Sequence, residues 1–176
     1  LGVGPTPVDL EWRDADLGFA WMTQQRPRVQ RPQVSHASLE AALRVVPGTL
    51  RPDLPLEVVS CGVPYLMVPV HTRAGVDQIS LDTEAFTRWL RASDLGDLPL
   101  FAFTLEPGPE DAATSYSRMF APAIGLVEDP ATGGASGPLG GYLVRHGLVP
   151  PAAAHDIVSA QGVKMGRPSR LRVRVE

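Results

Sequence analysis

The chain has 176 residues, of which 44% are hydrophobic and 20% are charged, and its formal net charge at pH 7 is −3. This length suits one domain or two very small ones, and the composition is that of a globular protein. The mild negative charge argues against binding to nucleic acids or to anionic membrane surfaces. The sequence contains no run of 18 or more apolar residues, so no membrane-spanning segment is predicted. The 17 glycines and 18 prolines predict many turns and short elements rather than long helices.

The single cysteine, Cys61, excludes an intrachain disulfide and favours a cytoplasmic location. Cys61 lies among apolar residues with no cation nearby in the sequence, so we expect an inert, buried thiol rather than a nucleophile. The chain begins at Leu1 without a methionine or a leader-like segment, which we interpret as a cut end rather than as a signal peptide.

The first half of the chain is predicted to alternate strands and one helix. Residues 17–23 read as a strand, and residues 26–32 as a basic loop bracketed by prolines. Apolar residues at helical spacing predict a helix over 38–46, with Ser38 as its N-cap. Two β-branched runs separated by a Gly- and Pro-containing turn predict a hairpin over 56–70.

The second half is predicted to hold two more helices. One runs over 82–92 and is capped by Asp82. The other starts within the glycine-rich stretch 125–141 and ends near His146. An acidic turn is predicted over 106–111. Strands are predicted over 98–104, 115–120, 156–161 and 169–175. Together these elements predict an α+β domain with several antiparallel strands and three helices.

The glycine-rich stretch 125–141 is the part of the sequence that most strongly indicates a catalytic or binding site. Glu128 and Asp129 precede a proline, and a Thr-Gly-Gly step then leads into the predicted helix. Free N–H groups at a helix N-terminus bind anions, including substrate carboxylates, and an acid beside them can move a proton. The structural alternative is that Asp129 or Thr132 caps the helix while the glycines only form a turn.

Other catalytic motifs do not match this sequence. Ser136 lies in Gly-Ala-Ser-Gly-Pro, where a nucleophile elbow requires glycine in the last position. Neither the dinucleotide-binding fingerprint nor the phosphate-binding loop is present. The four histidines are scattered along the chain without the spacing of metal ligands, so we expect no metal site.

Several segments resemble the phenazine biosynthesis PhzF-like family in their residues, order and spacing. They span 59–65, 117–122, 128–134, 137–139, 142–143, 161–162 and 165–169. That family has the diaminopimelate epimerase fold, so the resemblance implies a curved, mostly antiparallel sheet wrapped around a central helix. Family members contain two such lobes, and their active site lies in the cleft between the lobes.

The resemblance implies that residues 1–176 form only the second, C-terminal lobe. In the family the first lobe carries the glutamate that shuttles the proton, and nothing in this sequence stands in for it. The resemblance also suggests that the last strand crosses back to the first lobe, so the strand over 170–176 is expected to pair with the absent N-terminal lobe. The alternation of arginines with apolar residues there suits a strand that needs a partner. The family resemblance also allows a homodimer.

The resemblance also assigns site residues by position. Asp129 matches the family's active-site aspartate, and Thr132, Gly133 and Gly134 match the step whose amides bind the substrate carboxylate. The family often has serine where this chain has Gly134, so one hydroxyl contact is missing and the substrate is left open.

The expected function is that of a PhzF-like isomerase, which moves a proton on a small carboxylate-bearing substrate without a cofactor. The chain would supply one half of the cleft and be inactive alone. Two alternatives remain open. An amino-acid epimerase or racemase of the same fold usually needs an acid/base cysteine in each lobe, and the Thr-Gly-Gly step holds none. A non-catalytic module would use the helix N-terminus only to bind a small acid.

Overall fold

The structure is a computed structural model that describes residues 4–106, 108 and 112–176. Its strands are β1 (Val8–Arg13), β2 (Asp16–Met22), β3 (Arg28–Gln30), β4 (Glu57–Ser60), β5 (Pro64–Pro69), β6 (Leu100–Thr104), β7 (Ser115–Ala121), β8 (Leu126–Asp129), β9 (Ile157–Gln161) and β10 (Ser169–Val173). Its α-helices are α1 (His36–Leu43), α2 (Arg73–Gln78), α3 (Thr83–Ala92) and α4 (Gly133–Arg145). Among the described residues, no helix combines the length and the apolar character needed to cross a membrane.

Eight of the strands form one sheet in the order β10-β9-β7-β6-β5-β4-β3, with β8 also paired to β7. Its neighbouring strands run antiparallel except for β5 with β6 and β7 with β9, which run parallel. The remaining strands, β1 and β2, form a separate antiparallel hairpin. The predicted α+β class with a mostly antiparallel sheet is therefore confirmed.

The sheet buries a hydrophobic core on each face. Helices α1, α2 and α3 cover one face, and α4 covers the other. Residues of β5 show this division, because Leu66 packs in the first core whereas Tyr65 and Met67 pack in the second. Successive side chains of a strand point to opposite faces, so one strand serves both cores.

Helix α4 is the central helix of the fold. It contacts β4 and β5 toward one end of the sheet and β10 at the other end. A single helix can contact strands at both ends only if the sheet curves around it. The curved sheet wrapped around a central helix, which the resemblance implied, is therefore observed.

Glycines allow α4 to lie this close to its neighbours. A Cβ atom on Gly140 would lie 2.8 Å from Val173 Cγ1 and 2.9 Å from Val175 Cγ2, and one on Gly141 would lie 2.7 Å from Pro27 Cγ. These distances are too short for carbon atoms, so the helix backbone itself packs against the C-terminal strand. This close packing outweighs the low helix propensity of glycine.

Two local predictions are wrong in detail. The loop predicted over 26–32 contains β3, because the half-buried Val29 pairs with Val59 of β4. The N-cap of α1 is Ser35 rather than Ser38, since Ser35 Oγ accepts the Ser38 N–H at 3.2 Å. The helix ends before Arg44, which takes a left-handed conformation with φ 56°, so the predicted extension to residue 46 is not helical.

Besides β3, three elements were not predicted from the sequence: β1, β8 and α2. With α2, the described residues contain four α-helices in place of the expected three. Each of the three elements has six residues or fewer, which is too short for a clear periodic pattern. The better-defined elements are confirmed within a few residues. Asp82, for example, caps α3 by accepting the Ala85 N–H at 2.9 Å. The acidic turn predicted over 106–111 lies largely outside the described residues.

We expect Gly140→Ala to destabilise the protein by about 1–3 kcal/mol, because overpacking against the branched, buried Val173 exceeds the gain in helix propensity. Gly133→Ala is the matched control on the same helix, since a Cβ atom there meets nothing within 4 Å. Its stability should change by less than about 1 kcal/mol. Urea unfolding of both variants measures the difference, and equal midpoints would contradict the packing explanation.

Candidate active site at the N-terminus of α4

The two neighbouring acids of β8 have different surroundings. Arg118 donates through Nε and Nη2 to the two carboxylate oxygens of Glu128, each at 2.8 Å. The same guanidinium donates through Nη1 to the carbonyls of Val76 and Ile79 at 3.0 Å. Glu128 thus belongs to a largely buried ion pair that joins β7, β8 and α2. Of the two acids, only Asp129 is therefore available to contact a substrate or transfer a proton.

Asp129 is held by one carboxylate oxygen only. The Thr132 hydroxyl donates to Asp129 Oδ2 at 2.6 Å, and within the described residues Oδ1 has no hydrogen-bond partner. Asp129 is half-buried. One oxygen therefore fixes the orientation of the carboxylate, and the other can hydrogen-bond a substrate or exchange a proton with it.

A buried glutamine fixes the turn between β8 and α4. Gln161, at the end of β9, has no exposed surface. Its Oε1 accepts the Thr132 N–H at 3.1 Å, and its Nε2 donates to Thr132 Oγ1 at 2.9 Å and to the Asp129 carbonyl at 2.6 Å. Gln161 was not among the site residues predicted from the sequence, although an amide side chain at the end of a mostly apolar strand was a usable signal.

The first amides of α4 are open. Thr132 is the N-cap residue, but its side chain makes no capping bond, and its carbonyl accepts the Ala135 N–H at 3.1 Å. Among the described residues, the N–H groups of Gly133 and Gly134 have no acceptor. Among the described residues, neither Asp129 nor Thr132 therefore forms a side-chain capping bond to α4. Open amides at the positive end of a helix form an anion-binding site.

Thr132, predicted to bind substrate, is 6% exposed and uses its amide and hydroxyl within the protein. It positions Asp129, while its direct contact with a substrate stays a prediction. Gly133 and Gly134 occupy the first turn of α4 as expected.

Tyr65 of β5 reaches the same turn from beneath, and it was not among the predicted site residues. A Cβ atom on Gly134 would lie 2.9 Å from the Tyr65 hydroxyl oxygen, which explains why glycine occupies this position. Burial raises the pKa of Tyr65, and the negative charge of Asp129 raises it further. The phenol is therefore a neutral donor at physiological pH.

A cleft of about 990 Å³ opens beside this turn, between the β1–β2 hairpin, α4 and β10. Gln24 enters it and donates through Nε2 to the Gly133 carbonyl at 2.8 Å. Cys61 also lines it, with Sγ 3.3 Å from the position of a Cβ atom on Gly137. The thiol therefore packs directly against the backbone of α4. Cys61 is half-buried rather than fully buried as expected. Its partial burial raises the pKa of the thiol to about 11, which makes it a poor nucleophile at neutral pH.

The structure brings none of the four histidines into a metal-binding arrangement. Within the described parts of the chain, no group of three His, Cys, Asp or Glu side chains is placed to hold a metal ion. His146 ends α4 and contacts the buried Glu57 carboxylate at 2.9 Å, at the opposite end of the helix from Asp129. His146 and Glu57 therefore contact each other at the C-terminal end of α4 and are not part of the site around Asp129.

Comparison with known proteins decides the family. A family model described as phenazine biosynthesis-like protein, PhzC-PhzF, matches residues 2–176. The chain belongs to this family. An uncharacterized isomerase YddE from Escherichia coli K12 is 34% identical over 146 residues, covering 80% of this chain and 46% of that protein. A trans-2,3-dihydro-3-hydroxyanthranilate isomerase from Pseudomonas aeruginosa is 33% identical over 175 residues, covering 99% of this chain and 56% of that protein.

Solved structures of PhzF-like proteins show the same fold. A PhzF family protein from Bacillus anthracis superposes with a TM-score of 0.77 at 22% identity, covering 94% of this chain and 55% of that one. A predicted epimerase from Pseudomonas aeruginosa superposes with a TM-score of 0.65 at 30% identity, covering 89% and 51%. The chain thus spans about half the length of the PhzF-like relatives that it matches.

We expect Gln161→Leu to destabilise the protein by about 3 kcal/mol, because it removes the acceptor of the buried Thr132 N–H and the amide donor to the Asp129 carbonyl. Amide exchange at Thr132 should accelerate at the same time. Gln30→Leu is the matched control, since Gln30 is exposed on β3, and its stability should change by less than about 0.5 kcal/mol. Equal stabilities of the two variants would show that the Gln161 bonds contribute nothing.

Iodoacetamide should modify Cys61 slowly in the native protein. The pKa of the thiol rises from 9.0 to about 11 on burial, so at pH 8 the reactive thiolate is about 100-fold scarcer than in the unfolded chain. The rate should increase about tenfold per pH unit up to pH 10, because the thiolate fraction does so. A native rate at pH 8 close to that of the guanidinium-unfolded chain would contradict this expectation.

Proposed function

We propose that this chain is the C-terminal half of a PhzF-like isomerase that moves a proton on a small carboxylate-bearing substrate without a cofactor. One observation carries the proposal. The half-free carboxylate of Asp129 lies beside the open N–H groups of Gly133 and Gly134. Proton transfer next to a carboxylate needs this pair of functions, an acid or base and a fixed set of donors.

The open amides of Gly133 and Gly134 bind the substrate carboxylate and stabilise negative charge that develops when a proton leaves carbon. Asp129 hydrogen-bonds the substrate through Oδ1 or returns the proton. Thr132 and Gln161 keep this carboxylate in one orientation. The base that removes the proton comes from a preceding lobe, as the family resemblance implies.

An apolar face on the β1–β2 hairpin supports a docked preceding lobe. Val8, Leu10 and Trp12 alternate along β1 and are 52%, 50% and 61% exposed. Such a contiguous exposed apolar surface marks an interaction site. The opposite face of the hairpin packs on this chain, where the Arg174 guanidinium lies 3.8 Å from the centroid of the Trp21 ring.

The C-terminal strand lies beside the same region. β10 pairs with β9 through all five of its residues, from Ser169 to Val173, and it is the last strand of the sheet order. Its outer edge meets no strand within the described residues. Pairing of residues 170–176 with the preceding lobe remains part of the proposal, because an edge strand is where a further strand can add to a sheet.

The epimerase alternative is less favoured. It requires a thiolate near neutral pH, whereas burial raises the pKa of Cys61, the chain's one cysteine, to about 11. The binding-module alternative shares the anion site and differs only in turnover. The exchange of a substrate hydrogen with solvent therefore distinguishes it from the isomerase.

Asp129→Asn should lower turnover at least about 100-fold, because general acid–base catalysis contributes that much. The variant is assayed in a protein that carries the preceding lobe, with trans-2,3-dihydro-3-hydroxyanthranilate as the substrate in D2O. Proton NMR measures the incorporation of deuterium into the substrate. The unfolding midpoint should shift little, since the oxygen of the introduced carboxamide can still accept from the Thr132 hydroxyl.

Asp156→Asn provides the control for this experiment. This substitution makes the same chemical change at a side chain that is 80% exposed and lies 3.7 Å from the Arg172 guanidinium, so activity should stay at the wild-type level. Undiminished deuterium incorporation by Asp129→Asn would reject the catalytic role of Asp129. If the wild-type protein binds the substrate without any exchange, the binding module would replace the isomerase.

A further inference from the structure

Tyr65 is a buried tyrosine whose hydroxyl has no hydrogen-bond partner among the described residues. The residue is 6% exposed, and within the described residues its hydroxyl makes no hydrogen bond. The other two tyrosines of the chain each have one, Tyr116 to Asp77 Oδ1 at 2.5 Å and Tyr142 to the Pro55 carbonyl at 2.7 Å. Buried tyrosine hydroxyls normally find a partner, so the unused donor of Tyr65 requires an explanation.

The hydroxyl oxygen of Tyr65 is not completely sealed in the core. The described side-chain atoms that are both fully buried and without a partner are Gln24 Oε1 and Ser115 Oγ. Since the Tyr65 oxygen is not one of them and has no partner, it retains access to solvent. Its position is fixed by the ring, which packs in the core between β5 and α4 together with Met67 and Ala135.

Three unused donors therefore converge on the first turn of α4. The Tyr65 oxygen lies 2.9 Å from the position of a Cβ atom on Gly134, while the nearest ring carbon is 3.8 Å from it. The N–H groups of Gly133 and Gly134 are the other two donors. Donors without acceptors, placed at the positive end of a helix, are suited to an anion with two oxygens.

We infer that Tyr65 is a substrate-binding residue, whose hydroxyl donates to one oxygen of the substrate carboxylate while the Gly133 and Gly134 amides hold the other. This inference rests on the proposed function, since it assumes a carboxylate at this turn. Glycine at position 134 leaves the space that the phenol needs. Because a carboxylate can accept from both sides and a carboxamide offers one oxygen, this arrangement selects acids over their amides.

Titration of the nitrogen-15-labelled 176-residue chain tests the inference, with 3-hydroxyanthranilate as the probe and its carboxamide as the matched neutral compound. The acid should shift the amide signals of Gly133 and Gly134 to saturation, and the carboxamide should bind at least about tenfold more weakly. Tyr65→Phe should weaken binding of the acid about tenfold, the value of one hydrogen bond to a charged group, and should reduce its preference over the carboxamide.

A paired substitution separates the hydroxyl from the fold. Gly134→Ser alone brings Cβ to 2.9 Å from the Tyr65 oxygen, whereas with Tyr65→Phe the nearest ring carbon is 3.8 Å away, an ordinary contact. The double variant Tyr65→Phe/Gly134→Ser restores a hydroxyl at the same place and should bind the acid within about threefold of wild type. Tyr142→Phe removes a buried hydroxyl far from the turn and should leave binding unchanged. The amide spectra report folding of every variant.

The outcomes are distinguishable. If the acid shifts the Gly133 and Gly134 signals equally well in Tyr65→Phe and in wild type, the role of Tyr65 is rejected while the proposed function stands. If Tyr142→Phe weakens binding as much as Tyr65→Phe does, the effect is one of packing, and the role of Tyr65 is likewise rejected. If the acid leaves both glycine signals of the wild type in place, the carboxylate site and the inference fail together.

Discussion

The close contact between the α4 backbone and the strands around it is the constraint on which the rest of the structure depends. Glycine costs an α-helix about 1 kcal/mol relative to alanine, yet α4 contains five glycines in its 13 residues. A Cβ atom at Gly140 would overlap the side chains of Val173 and Val175. The sheet can curve around α4 only because the helix presents bare backbone there, so packing determines this sequence more than propensity does.

The same use of bare backbone creates the site. At the start of α4, Gly133 and Gly134 leave two N–H groups uncovered, and the absent side chain at Gly134 makes room for the Tyr65 hydroxyl. An ordinary N-cap would have used the Thr132 hydroxyl for these amides. Here Asp129 and Gln161 engage that hydroxyl instead. The network that orients the acid therefore also keeps the helix N-terminus free for a ligand.

The sequence reveals those parts of the fold and site that are contiguous in the chain. Asp129, Gly133 and Gly134 follow one another closely, and α3 has a regular apolar stripe with a clear cap, so each could be predicted. Tyr65 and Gln161 come from strands β5 and β9, and only sheet curvature brings them under α4. Their role depends on tertiary packing, which no local pattern encodes.

In this half of the proposed enzyme, buried side chains hold the hydrogen-bond donors for the substrate carboxylate in place. Gln161 is fully buried and Tyr65 and Thr132 nearly so, and each is held by a strand or by a helix terminus, so binding a carboxylate requires little reorganisation. The proton-abstracting base of the proposal belongs to a lobe that would dock against the apolar face of the hairpin. On this proposal binding and turnover are separable, because this chain would supply the donors for the carboxylate whereas the preceding lobe would supply the base.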